Sequence, residues 1–487
     1  MQSRRDQIQA HTFVRERLAA GVLRIDPDGM DQPVARTSKA TMIGVVLAAI
    51  GCVVVLLIGV VLPSVGGDGW RQSGALVIDS GTGAEYMYAG NALHPALNAT
   101  SARLVAGSQL NVTTASDAAL RGTPRGAPFG IVGAPDAPPA GDALSGAAWS
   151  ACAYTLSGAA SALPKPQLEL SVGHAEPDSG LTIDQGILVS APDDTEYLLW
   201  NGERLKLDAA NGAPQALGYT ALTPTPVTIG FLDAIPNGPD LAAPAITGLG
   251  GSGPELAGKP GRIGRLYSDD QGRDYLLTQA GLAPLTPTLF SLISEDPSVI
   301  NQAYGTGVAS VTPLTPEDLI AHSATSALAT QRAQLPASPP KIVTVHPGQA
   351  ACADLRPSSD AVDVSIGVAT ANAVTADATP QQTGTGVVAS CRPADLVAVD
   401  PGTGALVTVE PAGGGGGTTY YLVADNGVKY PIPSGSVLGQ LGYSAASAVS
   451  LPAPVVGLLA TGPSLDPNEL TNGGVIAPSS TPPQCLA

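Results

Sequence analysis

Between Met42 and Leu62 the chain reads MIGVVLAAIGCVVVLLIGVVL, 21 residues with no charge, no Asn or Gln and no Pro. At about 1.5 Å per residue a helix of that length is roughly 30 Å long, the depth of a bilayer's hydrocarbon core. A helix satisfies its own backbone hydrogen bonds, so this run can cross lipid alone, and Pro63 closes it. Arg4, Arg5, Arg15, Arg17, Arg24, Arg36 and Lys39 precede it, whereas the next basic residue after it is Arg71. The positive-inside rule then puts residues 1–40 in the cytoplasm and everything after Leu62 outside. A cleaved signal peptide would have a shorter leader and a small-residue cleavage site, and Val61-Leu62-Pro63-Ser64 is a poor one. The expectation is a retained single-pass anchor.

Charge limits the partners of the outer part. The chain carries 23 basic and 40 acidic residues, a formal net charge of −17. Seven basic and five acidic residues lie before position 41, leaving 16 against 35 beyond it, a net of −19. So acidic a surface is a poor match for a phosphate backbone. With 44% hydrophobic and 13% charged residues the chain is not disordered on charge grounds. Its 58 glycines and 44 prolines favour short strands, turns and linkers, and its length calls for several domains. Cys52 falls in the apolar run; Cys152, Cys352, Cys391 and Cys485 fall outside it, an even number for an oxidising compartment. Spacing alone leaves their three pairings open.

In chain order, residues 5–24 predict a helix with Ile8, Val14 or Phe13, Leu18 and Val22 or Leu23 near one face, suited to lying on lipid or to docking a partner protein, the latter favoured by Asp6 and Glu16. Beyond the apolar run, four segments share a strand, a glycine turn and a second short element: they begin at Glu85-Tyr86, Glu196-Tyr197, Asp274-Tyr275 and Tyr420-Tyr421. The first and third are related by 189 positions (275 − 86), a step that also carries Leu93 to Leu282 and Pro95 to Pro284. The second and fourth are related by 224 (421 − 197), which carries Leu217-Gly218-Tyr219 onto Leu441-Gly442-Tyr443 and Gly238-Pro239 onto Gly462-Pro463. The order A-B-A′-B′ implies duplication of a pair and an approximate internal twofold. The simplest geometry lets the links at 125–180 and 331–412 meet as a central domain stapled by Cys152 and Cys352, while Pro-rich runs and Gly413 to Gly417 mark boundaries.

The residues Arg5-Asp6-Gln7-Ile8, Phe13, Arg15 and Arg17-Leu18, the stretch His94 to Leu104, Pro124-Arg125-Gly126 and Gly130 to Pro135 together resemble the EccB family, a membrane subunit of actinobacterial type VII (ESX) secretion systems. Glu16 stands where that family often has arginine. The resemblance runs over essentially the whole chain. It implies an α+β fold: a single N-terminal transmembrane helix plus an elongated extracytoplasmic region of four small repeat domains around a central one. It also implies a Cys152–Cys352 disulfide, partner docking through Arg5, Gln7, Ile8, Phe13, Arg15, Arg17 and Leu18, and repeat cores built on Tyr86, Tyr197, Tyr275 and Tyr421. The implied setting is the inner membrane, with EccC (an FtsK-like ATPase), EccD, EccE and a mycosin protease as partners, and self-association outside. The expected division is 1–40 cytoplasmic, 42–62 spanning, 66–124 first repeat, 125–180 central, 181–250 second repeat, 260–330 third repeat, 331–412 central, 418–475 fourth repeat and 476–487 tail.

Some members of the family are called ATPases, so a nucleotide site is worth seeking. The nearest match to a phosphate loop is Gly253-Pro254-Glu255-Leu256-Ala257-Gly258-Lys259 followed by Pro260. Proline removes both the hydroxyl that would hold magnesium and an amide needed at the helix start. It reads better as a linker between domains. The five histidines are scattered, without H-E-x-x-H, and there is no G-x-S-x-G or S-x-x-K. Asp193-Asp194 and Asp269-Asp270 fall in predicted turns, and Asp425-Asn426-Gly427 at a hairpin tip. No catalytic, metal or cofactor residues are expected; ATP enters only through the family label. The expected role is a channel scaffold, with an ATP-hydrolysing subunit and a cell-wall-binding anchor as alternatives.

Overall fold

The structure, a computed structural model, describes residues 4–23, 40–52, 68–146, 148–155, 165–174, 180–305, 307–358, 361–409, 419–470 and 474–476. They fall into two compact units. The smaller holds the described residues up to Gln72 with Val77–Ala84 and Thr113–Thr123; the larger holds Ser73–Leu76, Glu85–Val112 and Pro124 onward.

In the smaller unit Arg4–Leu23 is one helix, and residues 40–52 are helical. The latter are the first half of the apolar run; residues 53–62 lie outside the described residues. Among the described residues no helix is long and apolar enough to cross a membrane. Asp79 organises a tight turn, its carboxylate accepting from the Gly81 N–H at 3.0 Å and the Thr82 hydroxyl at 2.7 Å.

The larger unit is built on a six-stranded sheet. Its strands lie side by side in the order Val362–Thr370, Gln349–Pro357, Trp149–Thr155, Pro166–Val172, Leu396–Val399, Thr379–Pro380. Alternation puts Trp149, Ala151 and Ala153 on one face, where they join Leu168, Leu170 and Leu355 in the main core. Ser150, Cys152 and Tyr154 take the other face. Cys352 stands directly opposite Cys152 in the antiparallel pairing, and the two are disulfide-bonded. Cys391 is also disulfide-bonded; Cys485 lies outside the described residues.

Each tyrosine-bearing segment is an antiparallel hairpin: Glu85–Ala89 with Ala92–Pro95, Glu196–Trp200 with Glu203–Lys206, Asp274–Thr278 with Gly281–Pro284, and Thr419–Ala424 with Val428–Ile432. The second shows why a two-residue connection works. Asn201 and Gly202 both take positive φ, 50° and 78°, which matches the twist of paired strands. Short helices follow the other three hairpins, started by side-chain caps from Asn98, Thr286 and Ser434.

Packing joins the hairpins in pairs. Leu76, Met87 and Leu104 of the first share a core with Leu406, Leu422 and Tyr430 of the fourth. Leu198, Trp200 and Leu205 of the second share one with Leu266, Leu276 and Leu289 of the third. The second and fourth both rest on the central sheet, through Ile187, Leu199 and Phe231 and through Val407, Val423 and Val455.

The 224-residue step recurs in the hydrogen bonding. Leu217 N donates to Ala213 O at 3.0 Å, as Leu441 N does to Val437 O at 3.0 Å; Tyr219 N donates to Pro214 O at 2.8 Å, as Tyr443 N does to Leu438 O at 2.8 Å. Both tyrosine hydroxyls, buried, reach a prolyl carbonyl far along the chain: Tyr219 to Pro340 O at 2.9 Å and Tyr443 to Pro139 O at 2.7 Å. Burial pushes both phenols well above their usual pKa. Each bond ties a repeat to the Pro-rich segment leading into the central sheet. Tyr219→Phe and Tyr443→Phe should each cost about 1–2 kcal/mol, the penalty for stranding a buried acceptor. Urea denaturation of the purified chain reads this directly, and unchanged midpoints in both variants would remove these bonds from the account of stability.

Candidate functional site

Two helices meet at the centre of the larger unit. Ile229–Ala234 and Ala453–Val456 begin 224 positions apart and pack against each other. Gly230 lets them close over the sheet, since a Cβ there would stand 3.0 Å from both Leu168 and Leu458. Behind the first helix, Arg204 Nη1 donates to Asp233 Oδ1 at 3.2 Å. Arg392, beside the disulfide-bonded Cys391, donates to Asp233 Oδ2. One carboxylate thus holds two guanidiniums, one from its own repeat and one from the central region. Burial draws the Arg204 pKa below its usual value.

The fourth repeat solves the same problem differently. Lys429 follows Arg204 by 225 positions, yet Gly457 stands 224 positions after Asp233, so no carboxylate is present there. The buried ammonium instead donates to Val456 O at 2.8 Å and Leu459 O at 2.9 Å, carbonyls at and just beyond a helix C-terminus. Burial without a counter-ion pushes its pKa from 10.5 down to about 8. Sequence reasoning missed all four residues. The available signal was the pattern Gly-x-basic in the second strand of each hairpin, Gly202-Glu203-Arg204 and Gly427-Val428-Lys429.

On the far face of the central sheet, fully buried Glu169 stands opposite Cys152 in register. Tyr154 is pushed up by burial, with Asp395 and Glu169 adding to the effect. Among the described residues no group of three or more His, Cys, Asp or Glu is placed to hold a metal ion. His94 Nδ1 is 3.1 Å from Ala127 O, and His174 Nε2 is 2.8 Å from Asp400 Oδ2.

The phosphate-loop look-alike has a definite structure, and it corrects the linker reading. Ser252–Leu256 and Lys259–Arg262 form a two-stranded hairpin in which Leu256 opposes Lys259 and Glu255 opposes Pro260. Ala257 and Gly258 turn it, with φ of 52° and 69°. Lys259 stands on an exposed strand and no helix follows it, so there is no ring of amides to cradle phosphate. The acidic pairs lie in turns. Asp269 Oδ1 accepts from the N–H groups of Gln271 and Arg273 at 3.0 and 2.9 Å. Desolvation opposes ionisation there, but these bonds and those from Arg273 and Tyr275 side chains hold its pKa down at about 2. Asp193 is lowered by the Thr195 N–H and hydroxyl.

The remaining expected residues are placed as follows. Arg5, Gln7, Ile8, Phe13, Arg15, Arg17 and Leu18 all lie on the Arg4–Leu23 helix and are exposed. At 100° per residue Ile8, Val14, Leu18 and Val22 share a side, while Phe13 points to the opposite one. Tyr275 is buried; Tyr86, Tyr197 and Tyr421 are half-buried, and the residue after each, Met87, Leu198 or Leu422, is buried. Arg125 lies over the Tyr86 ring, 4.2 Å from its centroid.

A family model described as "Type VII secretion system ESX-1, transport TM domain B" matches residues 1–473. The chain is 29% identical over 483 residues to the "ESX-3 secretion system ATPase EccB3" of Mycolicibacterium smegmatis, covering 95% of this chain and 89% of that one. It is 26% identical over 488 residues to the "ESX-2 secretion system ATPase EccB2" of Mycobacterium tuberculosis, covering 95% and 93%. Among solved structures, it is similar to an EccB3 dimer from the ESX-3 core complex, with a TM-score of 0.64, 29% identity and coverage of 81% and 99%. It shares its fold with a chain of an intact ESX-5 inner membrane complex, with a TM-score of 0.65, 22% identity and coverage of 100% and 98%.

The two basic seats respond to different perturbations. Asp233→Ala leaves the Arg204 guanidinium in its largely buried place without a counter-charge and should cost about 2–4 kcal/mol in denaturation of the purified chain. A cost below about 0.5 kcal/mol would show that the ion cluster carries no weight. Lys429 answers to pH. A lysine whose folded pKa is depressed adds stability that is complete above 10.5 and is withdrawn as pH falls towards about 8. The stability difference between the native chain and Lys429→Met should therefore shift in favour of the native chain as pH rises through that window. A difference that stays flat would reject the assignment.

Proposed function

The chain belongs to the EccB family of type VII secretion proteins, and from that premise we propose that it forms the extracytoplasmic part of an export conduit. It is a structural component of a type VII secretion membrane complex. In the proposed arrangement residues 42–62 cross the inner membrane once, residues 1–40 face the cytoplasm, and four repeats around the stapled central sheet stand outside with an approximate internal twofold. The observation that carries this reading is the similarity to a subunit solved as a dimer in an ESX-3 core complex, of which this chain covers 99%. The similarity supports self-association, which we place in the outer region. The exposed Arg4–Leu23 helix supplies basic and apolar side chains for docking on the cytoplasmic side. Its proposed partners are the FtsK-like ATPase EccC, EccD and EccE, with a mycosin protease outside.

The curated relatives carry "ATPase" in their names, which keeps ATP hydrolysis as a second reading. Against it, the one stretch resembling a phosphate loop is a β-hairpin ending in a proline-bearing strand. Wall binding has no comparable support in the described residues.

Purification of the tagged chain from native membranes in mild detergent, with mass spectrometry of what accompanies it, tests the scaffold reading. A large assembly containing an FtsK-like ATPase and multispan subunits is the expected result. Deleting residues 1–24 should keep the chain in the membrane and lose those cytoplasmic-side partners. A lone chain that hydrolyses ATP after purification would overturn the proposal in favour of the second reading.

A further inference from the structure

In the fourth repeat Thr461 pairs in parallel with Lys429, leaving its own N–H and C=O directed outward. Val388 takes both: Val388 N donates to Thr461 O at 2.8 Å, and Thr461 N donates to Val388 O at 2.8 Å. The segment that delivers Val388 lies in a slot whose other wall is Gly133, where a Cβ would come within 2.5 Å of Thr385 O. Val387 packs into the core shared by the first and fourth repeats. This slot is a strand acceptor filled from within the chain.

The 224-residue step carries Thr461 back to Asn237, and the backbone there runs the same way. Arg204 N donates to Pro236 O at 2.9 Å and Gly238 N to Arg204 O at 3.0 Å, as Gly462 N donates to Lys429 O at 2.9 Å. The groups flanking Asn237 thus face Arg204, and the N–H and C=O of exposed Asn237 face away from it. Asn237 also lines a groove of about 500 Å³, together with Trp200, Asn201, Glu203, Ala333 and Gln334. Ala333 follows Gly133 by 200 positions, the step that separates Cys352 from Cys152. Among the described residues no segment lies in this groove as residues 385–388 lie beside Gly133 and Thr461. Those residues belong to the link between the third and fourth hairpins, which at 146 positions (421 − 275) is 35 longer than the 111 (197 − 86) between the first and second.

We infer that the groove at Asn237 is a strand-acceptor site that takes an extended segment of another protein, in the antiparallel register Val388 adopts at Thr461. Recognition is by main chain, through the N–H and C=O of Asn237, with room for a small apolar side chain beside Trp200. Among the described residues the wall carries a carboxylate, Glu203, and amides but no lysine or arginine. A neutral or basic segment therefore fits better than one from a second copy of this chain, whose net charge is −17.

The probe is a fluorescein-labelled peptide with the sequence of residues 383–390, read by anisotropy against the detergent-solubilised full chain. Saturable binding is expected, weakened at least tenfold by Asn237→Pro, which deletes the donor, and by Ala333→Trp, which fills the groove. Asn237→Ala should bind as the native chain does, because the side chain is not read. Melting curves check the fold, and Ala333→Trp carries the test where Asn237→Pro does not fold. Absence of saturable binding, or binding that survives Ala333→Trp, would overturn the inference. So would dissociation of a self-associated chain by Ala333→Trp, which would assign the groove to a second copy.

Discussion

Everything in the larger unit hangs on one strand pair. Trp149–Thr155 and Gln349–Pro357 come from links on opposite sides of two repeats, and they meet with Cys152 against Cys352. The disulfide closes a separation of 200 residues, worth up to about 5 kcal/mol in the chain-entropy model and commonly less in practice. Its larger effect is on register. Once Cys152 faces Cys352, alternation sends Trp149, Ala151 and Ala153 to the side where the second and fourth repeats seat, and a slip of one residue would turn Ser150, Cys152 and Tyr154 to that side instead.

That seat explains the pairing of the repeats. A single hairpin cannot bury both faces of its strands, so the second and fourth each turn one face to the central sheet and share the other. Leu199 faces the main core while its neighbours Leu198 and Trp200 meet the third repeat; Val423 and Leu422 divide in the same way between the sheet and the first repeat. The alternation of period two along one short strand is enough to weld three bodies together.

Much of this was legible because it is written in local chemistry. The Asn-Gly turn at 201–202, the offsets of 189 and 224, and the repeated Leu-Gly-Tyr needed only one chain segment at a time. What escaped was set by contacts between segments far apart. Arg392 meets Asp233 across 159 positions, and nothing near either residue announces it. The 252–262 hairpin escaped for a different reason: its glycines and prolines read as linker composition, whereas Ala257 and Gly258 use positive φ to fold the strand back. The side of the N-terminal helix failed only at Phe13, where the 100° step puts the ring away from Ile8 and Leu18.

The seats at Asp233 and Lys429 are unequal, and the link between the third and fourth hairpins bears on both. The longer link between the third and fourth hairpins runs through residues 381–395 and touches both seats. It gives Val388 to the edge at Thr461, Arg392 to Asp233, and the Ser390 hydroxyl to Gly457 O, while Gln381 Nε2 donates to Leu458 O at 2.9 Å. Among the described residues the shorter link between the first and second hairpins gives no such bond to the Asn237 edge. With Arg392 at hand, a carboxylate at 233 is held by two cations. Where Gly457 takes its place, the buried cation has turned to helix carbonyls, a neutral arrangement that leaves Lys429 close to losing its proton. The link through 381–395 thus adds a second cation to the ionic seat at Asp233 and fills the strand edge at Thr461.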